Sequence, residues 1–354
     1  MGLRHRAFVF VLVAALTGCS NESSDDVTSG GLPLVGLAAY PFKRELTLSG
    51  KVPPSYSIAL TFDHAALVKE KIAREDGTDL RVGFQGESEL VELDRVVDPM
   101  STWNDAKTTI WFRTPEADVG TGSFSLYFGK LKPPPVLADP SKVYAYWADF
   151  DDSFDGTSWK FAKFGKADGK SEIVNGALRI TGQSQDFGGT SDQGVYFYQS
   201  VSGDFTADVA IAGVGGSLGG PSKMGGLMLR ENTDVDAAFA MASLQQLPRQ
   251  RVSLLRKAKA KPAVDGTELM APGTFPQLLE LSRVGNDVSA AYSEDGRTWI
   301  GLGASVAMTA LAPSVFIGVP FSNISSDDGY ADIAWLRIVK RINPAPVATL
   351  SATE

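Results

Sequence analysis

Carboxylates outnumber every other side chain capable of acid–base work in this chain, with 41 Asp and Glu against two histidines and one cysteine. Glycoside cleavage needs two carboxylates roughly 5 to 10 Å apart across a cleft. The densest stretch is ESELVELDRVVD, where strand alternation puts Glu92 and Asp94 on one face; it reads as a solvated edge strand. A nucleophile with a histidine base has one candidate base in the body of the chain, His64, which follows Asp63 and reads as a turn residue. A His/Cys metal set cannot be assembled from this inventory. Hard oxygen ligands are more plentiful: ADFDDSFDG carries Asp149, Asp151 and Asp152, and SNISSDDGYAD carries Asp328 and Asp332. If the strands bearing these two runs are neighbours, together they could hold Ca2+, although the spacing matches no EF-hand loop. The Gly-rich GVGGSLGGPSKMGG lacks the Lys-Ser/Thr of a phosphate-binding loop. No catalytic residue is assigned, and the chain reads as a binder rather than an enzyme.

Binding then rests on aromatic and donor faces. In GVYFYQSV, Tyr196 and Tyr198 share one side of a strand and Val195 and Phe197 the other. In GGLMLREN, Arg230 opposes Leu227 and Leu229. With the aliphatic side as core, Tyr196, Tyr198 and Arg230 are expected to look outward, with Trp159 and Trp299 beside them. Exposed rings next to a fork of donors suit stacking on sugars.

YSEDGRTW, residues 292–299, resembles the Asp-box of sialidases, as does the upstream SFDGTSW with Ser153, Asp155, Gly156 and Trp159. Both set Asp directly beside Gly, whereas the sialidase box separates them by one residue. Propeller blades would also repeat every 40 to 50 residues or so, and these copies stand far apart. The plainer expectation is a hairpin: Asp295-Gly296 turns, Ser293 and Thr298 bond nearby backbone, and Trp299 packs on the sheet. Glu92 and Asp94 resemble the Glu-x-Asp-x-x-Glu strand of laminarinase-type jelly rolls, but Val97 stands where a third acid belongs.

The elements that must carry these residues are strands. The chain has 354 residues, with 36 Gly, 19 Pro and 10% aromatic content, which suits many turns joining short strands. A formal charge of −8 and pI near 5.0 disfavour nucleic acid and anionic membrane surfaces as partners. At the start, Arg4 and Arg6 precede an apolar run too short to span a bilayer, followed by Leu16-Thr17-Gly18-Cys19. This resembles a bacterial lipobox, which implies cleavage after residue 18, diacylation of Cys19 and, with Ser20 next, an outer-membrane anchor in the cell envelope. Residues 19–39 read as a tether. Residues 40–131 form a small β-rich domain, containing one helical candidate in DHAALVKEKIAREDGTD, and 132–142 form a Pro-rich linker. Residues 143–342 alternate strand and turn throughout, with six Asx-Gly pairs, and predict a two-sheet sandwich. Residues 343–354, NPAPVATLSATE, read as a disordered tail.

Residues 40–131 resemble the domain of unknown function family numbered 2341. The carriers are Tyr40 with FKRELTL, then Asp76 to Arg81, then Trp103-Asn104 with TIWF, and last Leu126-Tyr127-Phe128-Gly129. Residues 143–342 resemble the concanavalin-A-like lectin/glucanase superfamily in its laminin-G-like branch, through DFDDSFDGTSW, GGLMLRE, LELSRVGNDVSAAYSEDGRTW and FIGVPFSN with ADIAWLRI. The resemblance implies an all-β chain of two β-sandwich domains, the C-terminal one a concanavalin-like jelly roll. That superfamily holds lectins, adhesion modules and glycosidases. Three functions are therefore expected in turn: a lipid-anchored glycan- or glycoconjugate-binding envelope protein, a glycoside hydrolase or lyase, and a structural envelope component binding a protein partner.

Overall fold

The computed structural model describes residues 36–351, apart from 117–119, 121, 152–153, 155, 184–185, 217–222, 247–249, 271–273, 309–310 and 326. The expected signal peptide, Cys19 and most of the expected tether lie outside the described residues, as does Asp152.

The architecture is all-β, built from two sandwiches whose strands pair antiparallel. In the smaller one, a five-stranded sheet runs in the order Ala348–Leu350, Phe42–Leu48, Ser123–Phe128, Arg81–Gln85 and Leu90–Leu93. It faces a three-stranded sheet of Ser57–Phe62, Thr108–Arg113 and Arg95–Val97. Period-two patterning dictates this pairing. In Thr108–Arg113 the residues Thr108, Ile110 and Phe112 are buried while Thr109, Trp111 and Arg113 turn to the other side. Ile110 and Phe112 join Leu60, Val82, Phe124 and Leu126 in one core. The helical candidate forms a short helix, His64–Lys69, because Asp63 caps it by accepting from the Ala66 amide at 2.8 Å. His64 is a buried helix residue rather than a turn residue, and its Nδ1 accepts from the Asn104 amide at 2.8 Å.

The larger sandwich stacks a seven-stranded on a nine-stranded sheet. The first runs Val264–Met270, Gln250–Lys257, Phe239–Gln246, Lys223–Arg230, Ser314–Asn323, Gly194–Ser202 and Lys160–Phe164. The second runs Asp168–Val174, Ala177–Gln183, Gly329–Lys340, Phe205–Gly216, Gln277–Val284, Asp287–Ser293 and Ile300–Gly301, with Tyr146–Ala148 and Val306–Ala307 attached. Between them lies a core that includes Leu227, Leu229, Val209, Leu279, Leu281, Leu336 and Ile338.

The tail corrects the expectation of disorder. Ala348–Leu350 pairs with Leu46–Leu48 and closes one edge of the small sandwich, and Ile342, Ala348 and Leu350 pack on its core. Polar, Pro-containing composition hid an apolar alternation that becomes stable only once an edge strand is offered to it. The described residues form one compact unit, with the small sandwich held at both ends of the described chain.

Candidate functional site

Tyr196, Tyr198 and Arg230, expected to look outward, share a side of the seven-stranded sheet, but that side is covered. Tyr196 and Arg230 are fully buried, and Tyr198 keeps 8% of its surface. Every residue of Lys223–Arg230 is buried, so this strand has core on both faces. The second core consists of Phe164, Phe187, Tyr196, Met224, Met228, Phe239, Met241 and their neighbours. The Tyr196 hydroxyl donates to the Met228 carbonyl at 2.7 Å, and its ring stacks on Tyr198 at 5.0 Å. Arg230 donates to Asp192 at 2.6 Å, and Lys257 donates to the other oxygen of the same carboxylate at 2.6 Å. All three side chains are sealed from solvent. Trp159 also belongs to the main core, stacked on Phe197 at 5.0 Å. These four residues hold the sandwich together and do not form an open ligand face.

The acidic runs are likewise committed elsewhere. The strand Tyr146–Ala148 does lie beside Gly329–Lys340, as the calcium reading required. Asp332, however, forms a two-pronged ion pair with Arg179 at 2.7 Å, and Asp328 accepts from Gln183. Asp149 lines an apolar groove beside Tyr144 and Trp147, and Asp151 is exposed. Among the described residues no group of three His, Cys, Asp or Glu side chains is placed to hold a metal ion.

The hairpin of residues 292–299 leads to a different site. Asp295 Oδ1 accepts from the Arg297 and Thr298 amides at 2.8 and 2.7 Å, and Ser293 Oγ accepts from the Gly296 amide at 3.0 Å. Those bonds to its charged form hold the Asp295 carboxyl at about 2. Gly296 has φ +67°, and a Cβ there would lie 2.4 Å from Met100 in the small sandwich. Arg297 pairs with Asp105, also of the small sandwich, at 3.0 Å. This hairpin is one lip of a cleft between the two sandwiches.

The cleft has a volume of about 480 Å³. One wall is the outward side of the three-stranded sheet, with Ala59, Thr61, Thr109 and Trp111. The opposite wall is the outward side of the nine-stranded sheet, with Thr206, Asp208, Glu280 and Arg337. Strand register puts three charges in one row: Asp208 is opposite Arg337 on one neighbour and opposite Glu280 on the other. Their sequence neighbours Val209, Leu279 and Leu336 point the other way, into the core.

Arg337 organises this row. Its Nε and one terminal nitrogen donate to Asp208 Oδ2 at 2.9 and 2.7 Å, and the other donates to Asp98 Oδ2 of the small sandwich at 2.7 Å. The guanidinium lies 4.5 Å from the Trp111 ring centroid and 5.6 Å from that of Tyr144. Burial works against the charge on Asp98, but Arg337 and the bonds from Met100 and Trp111 outweigh it and hold this carboxyl below its usual range. Burial raises Asp208, and Arg337 only partly offsets it. Asp208 Oδ1 is buried without a hydrogen-bond partner among the described residues. Beside it, burial and then the Asp208 charge push the Glu280 carboxyl up to about 7. Glu280 therefore carries a proton in mildly acidic solution and presents a donor to the cleft.

Of the described residues expected from the sequence to hold a ligand or a metal ion, only Trp299 lines this cleft. Asp208, Glu280 and Arg337 went unremarked, although each breaks an apolar strand: FTADVAIAG, QLLELSRVG and AWLRIVK. A charge flanked on both sides by apolar residues was the available signal.

No family model matches the chain, and no curated protein matches it. Solved structures give distant likenesses. A GH43 protein, BlXynB from Bacillus licheniformis, aligns with 77% of this chain and 56% of its own at 14% identity and a TM-score of 0.46. A functionally unknown protein from Saccharomyces cerevisiae aligns over 54% of this chain and 100% of its own at 12% identity and TM-score 0.43. The VIP36 exoplasmic/lumenal domain in its Ca2+/Man3GlcNAc-bound form aligns over 54% of this chain and 86% of its own at 11% identity and TM-score 0.37. The chain spans about half the length of the GH43 structures it matches. At these scores none of them bears on the chemistry of the cleft.

Proposed function

We propose that the protein binds a glycan in the cleft between its two sandwiches, held at the cell envelope by lipid on Cys19. The cleft itself carries this reading. It is of saccharide size, has the rings of Trp111 and Trp299 on its walls, and offers hydroxyls from Thr61, Ser101, Thr109 and Thr206. Rings that present an apolar face beside polar groups are what a sugar, apolar on one side and hydroxylated at its rim, requires. The half-buried Trp299 is the ring whose loss disturbs the fold least. Trp299→Ala is expected to weaken binding of any glycan that the mature chain retains on an array by about tenfold, a change of about 1.4 kcal/mol. Unchanged affinity in that variant, at unchanged thermal midpoint, removes the cleft as the site.

The anchor has its own test. Metabolic labelling with a radioactive fatty acid should mark the wild-type chain and leave Cys19→Ala unmarked and free of the membrane fraction. Equal labelling of both would overturn it.

One observation favours hydrolysis as a second reading: Asp208 and Glu280 stand directly across neighbouring strands, and Glu280 has an acid's pKa near neutrality. Against it, Asp208 gives one oxygen to Arg337 and buries the other, so Asp208 is not the open second carboxylate that this chemistry needs. Release of reducing ends by wild type but not by Glu280→Gln would decide for the enzyme.

A further inference from the structure

The charges at the cleft do not cancel. Arg337 is taken up by Asp98 and Asp208, and Arg297 by Asp105. Lys107 and Arg341 also line the cleft, and neither side chain forms an ion pair with any described residue. Glu280 lies on the nine-stranded-sheet wall of the same cleft.

Building on the cleft as a glycan site, we propose that its ligand is an anionic saccharide, whose carboxylate or sulfate is held by Lys107 and Arg341 and accepts a hydrogen bond from the protonated carboxyl of Glu280. The chain as a whole is acidic, so the selectivity is local: a basic recess on an acidic protein repels polyanions at long range and admits a short anionic segment at contact.

Glu280 is surrounded by groups that set its proton affinity. Asp208 faces it from one neighbouring strand, with Thr206 beside it, and Arg337 lies one strand further on. Ala291, opposite it on the other side, brings no charge. Ser282 is on its own strand, and Arg341 acts on it from the chain leaving the sheet. Asp98, Lys107, Arg297 and Tyr56 line the same space. Of the charges that act on it most, Asp208 favours the protonated form, whereas Arg341 and Arg337 oppose it. An anion placed on Arg341 screens that cation and adds its own repulsion to an ionised Glu280, so ligand and proton bind together. Because the carboxyl titrates at about 7, affinity is full below that pH and falls as pH rises through it.

The test is titration calorimetry on the mature chain with three probes: a tetragalacturonate, the same tetramer reduced to neutral galactose units, and a sulfated galactan tetramer. Wild type should bind one or both anionic tetramers at least about tenfold more tightly than the neutral one, and the preferred one tells carboxylate from sulfate. Its affinity for that anion should drop about tenfold between about pH 5.5 and about pH 8.5. Glu280→Gln keeps a donor at every pH, so it should still bind and lose the pH dependence. Lys107→Ala with Arg341→Ala should abolish the preference for charge. Equal affinity for the neutral tetramer overturns the anionic ligand and leaves the glycan cleft standing. Binding of none of the three, with no other glycan retained on an array, removes both. Anion binding that neither variant alters puts the anion elsewhere on the protein and overturns the proposal.

Discussion

Arg337→Met should cost the protein about 3–5 kcal/mol of unfolding free energy, read as a lowered urea midpoint at constant slope. The methionine keeps most of the volume and apolar stem, so packing changes little. What is lost is the charge shared by Asp98 and Asp208, whose side chains are 14% and 4% exposed. Both would be left as buried carboxylates with no cation, and Asp208 would retain no donor at either oxygen. Lysine should not rescue the loss, because a single ammonium cannot span two carboxylates on different sandwiches as the guanidinium fork does. Adding Asp98→Asn and Asp208→Asn to Arg337→Met should recover much of the stability, since the penalty lies in unpaired charge rather than in a missing attraction. A cost below about 1 kcal/mol for Arg337→Met would show that water reaches this row freely, and the charged cleft wall described above would be wrong.

Asp192→Ala is expected to be comparably damaging, again about 3–5 kcal/mol in urea unfolding. Asp192 is the anion between Arg230 and Lys257, and all three side chains are fully buried. Arg230 would keep its bonds to the carbonyls of Asn232 and Asp234, and Lys257 its bond to Val235, but two cations would face each other without a counter-charge. Adding Lys257→Met to Asp192→Ala should return part of the loss by removing one of them. The pair of measurements also tests the outer face of the seven-stranded sheet. If Asp192→Ala is tolerated while a dye reporting exposed apolar surface starts to bind, then this face opens easily and could still receive a ligand.

These two clusters show which parts of the molecule were legible in advance. The hairpin at Ser293 to Trp299 was, because an Asx-Gly turn and its side-chain bonds are local: Asp295, Ser293 and Thr298 lie within six residues and need no tertiary partner. The all-β class was legible for the same reason, since period-two patterning is a property of each strand alone. Alternation also assigned Tyr196, Tyr198 and Arg230 to one side of their strands, opposite Leu227 and Phe197. It was silent on what lies against that side, and Phe187 and Asp192 fold onto it from the chain just ahead of the strand Gly194–Ser202.

The charged row of the cleft belongs to the second kind of information. Asp208, Glu280 and Arg337 come from three separate strands, and they meet only because strand order and register in one sheet align them. Asp98 then reaches Arg337 from the other sandwich, across 239 positions of sequence. Local chemistry in the chain was enough to determine strands, turns and the two faces of each sheet, because backbone dihedrals and side-chain alternation act over a few residues. Which face is sealed, which opens into a cleft, and which carboxyl keeps its proton were decided by packing, because desolvation and charge pairing depend on groups that only the folded chain brings together.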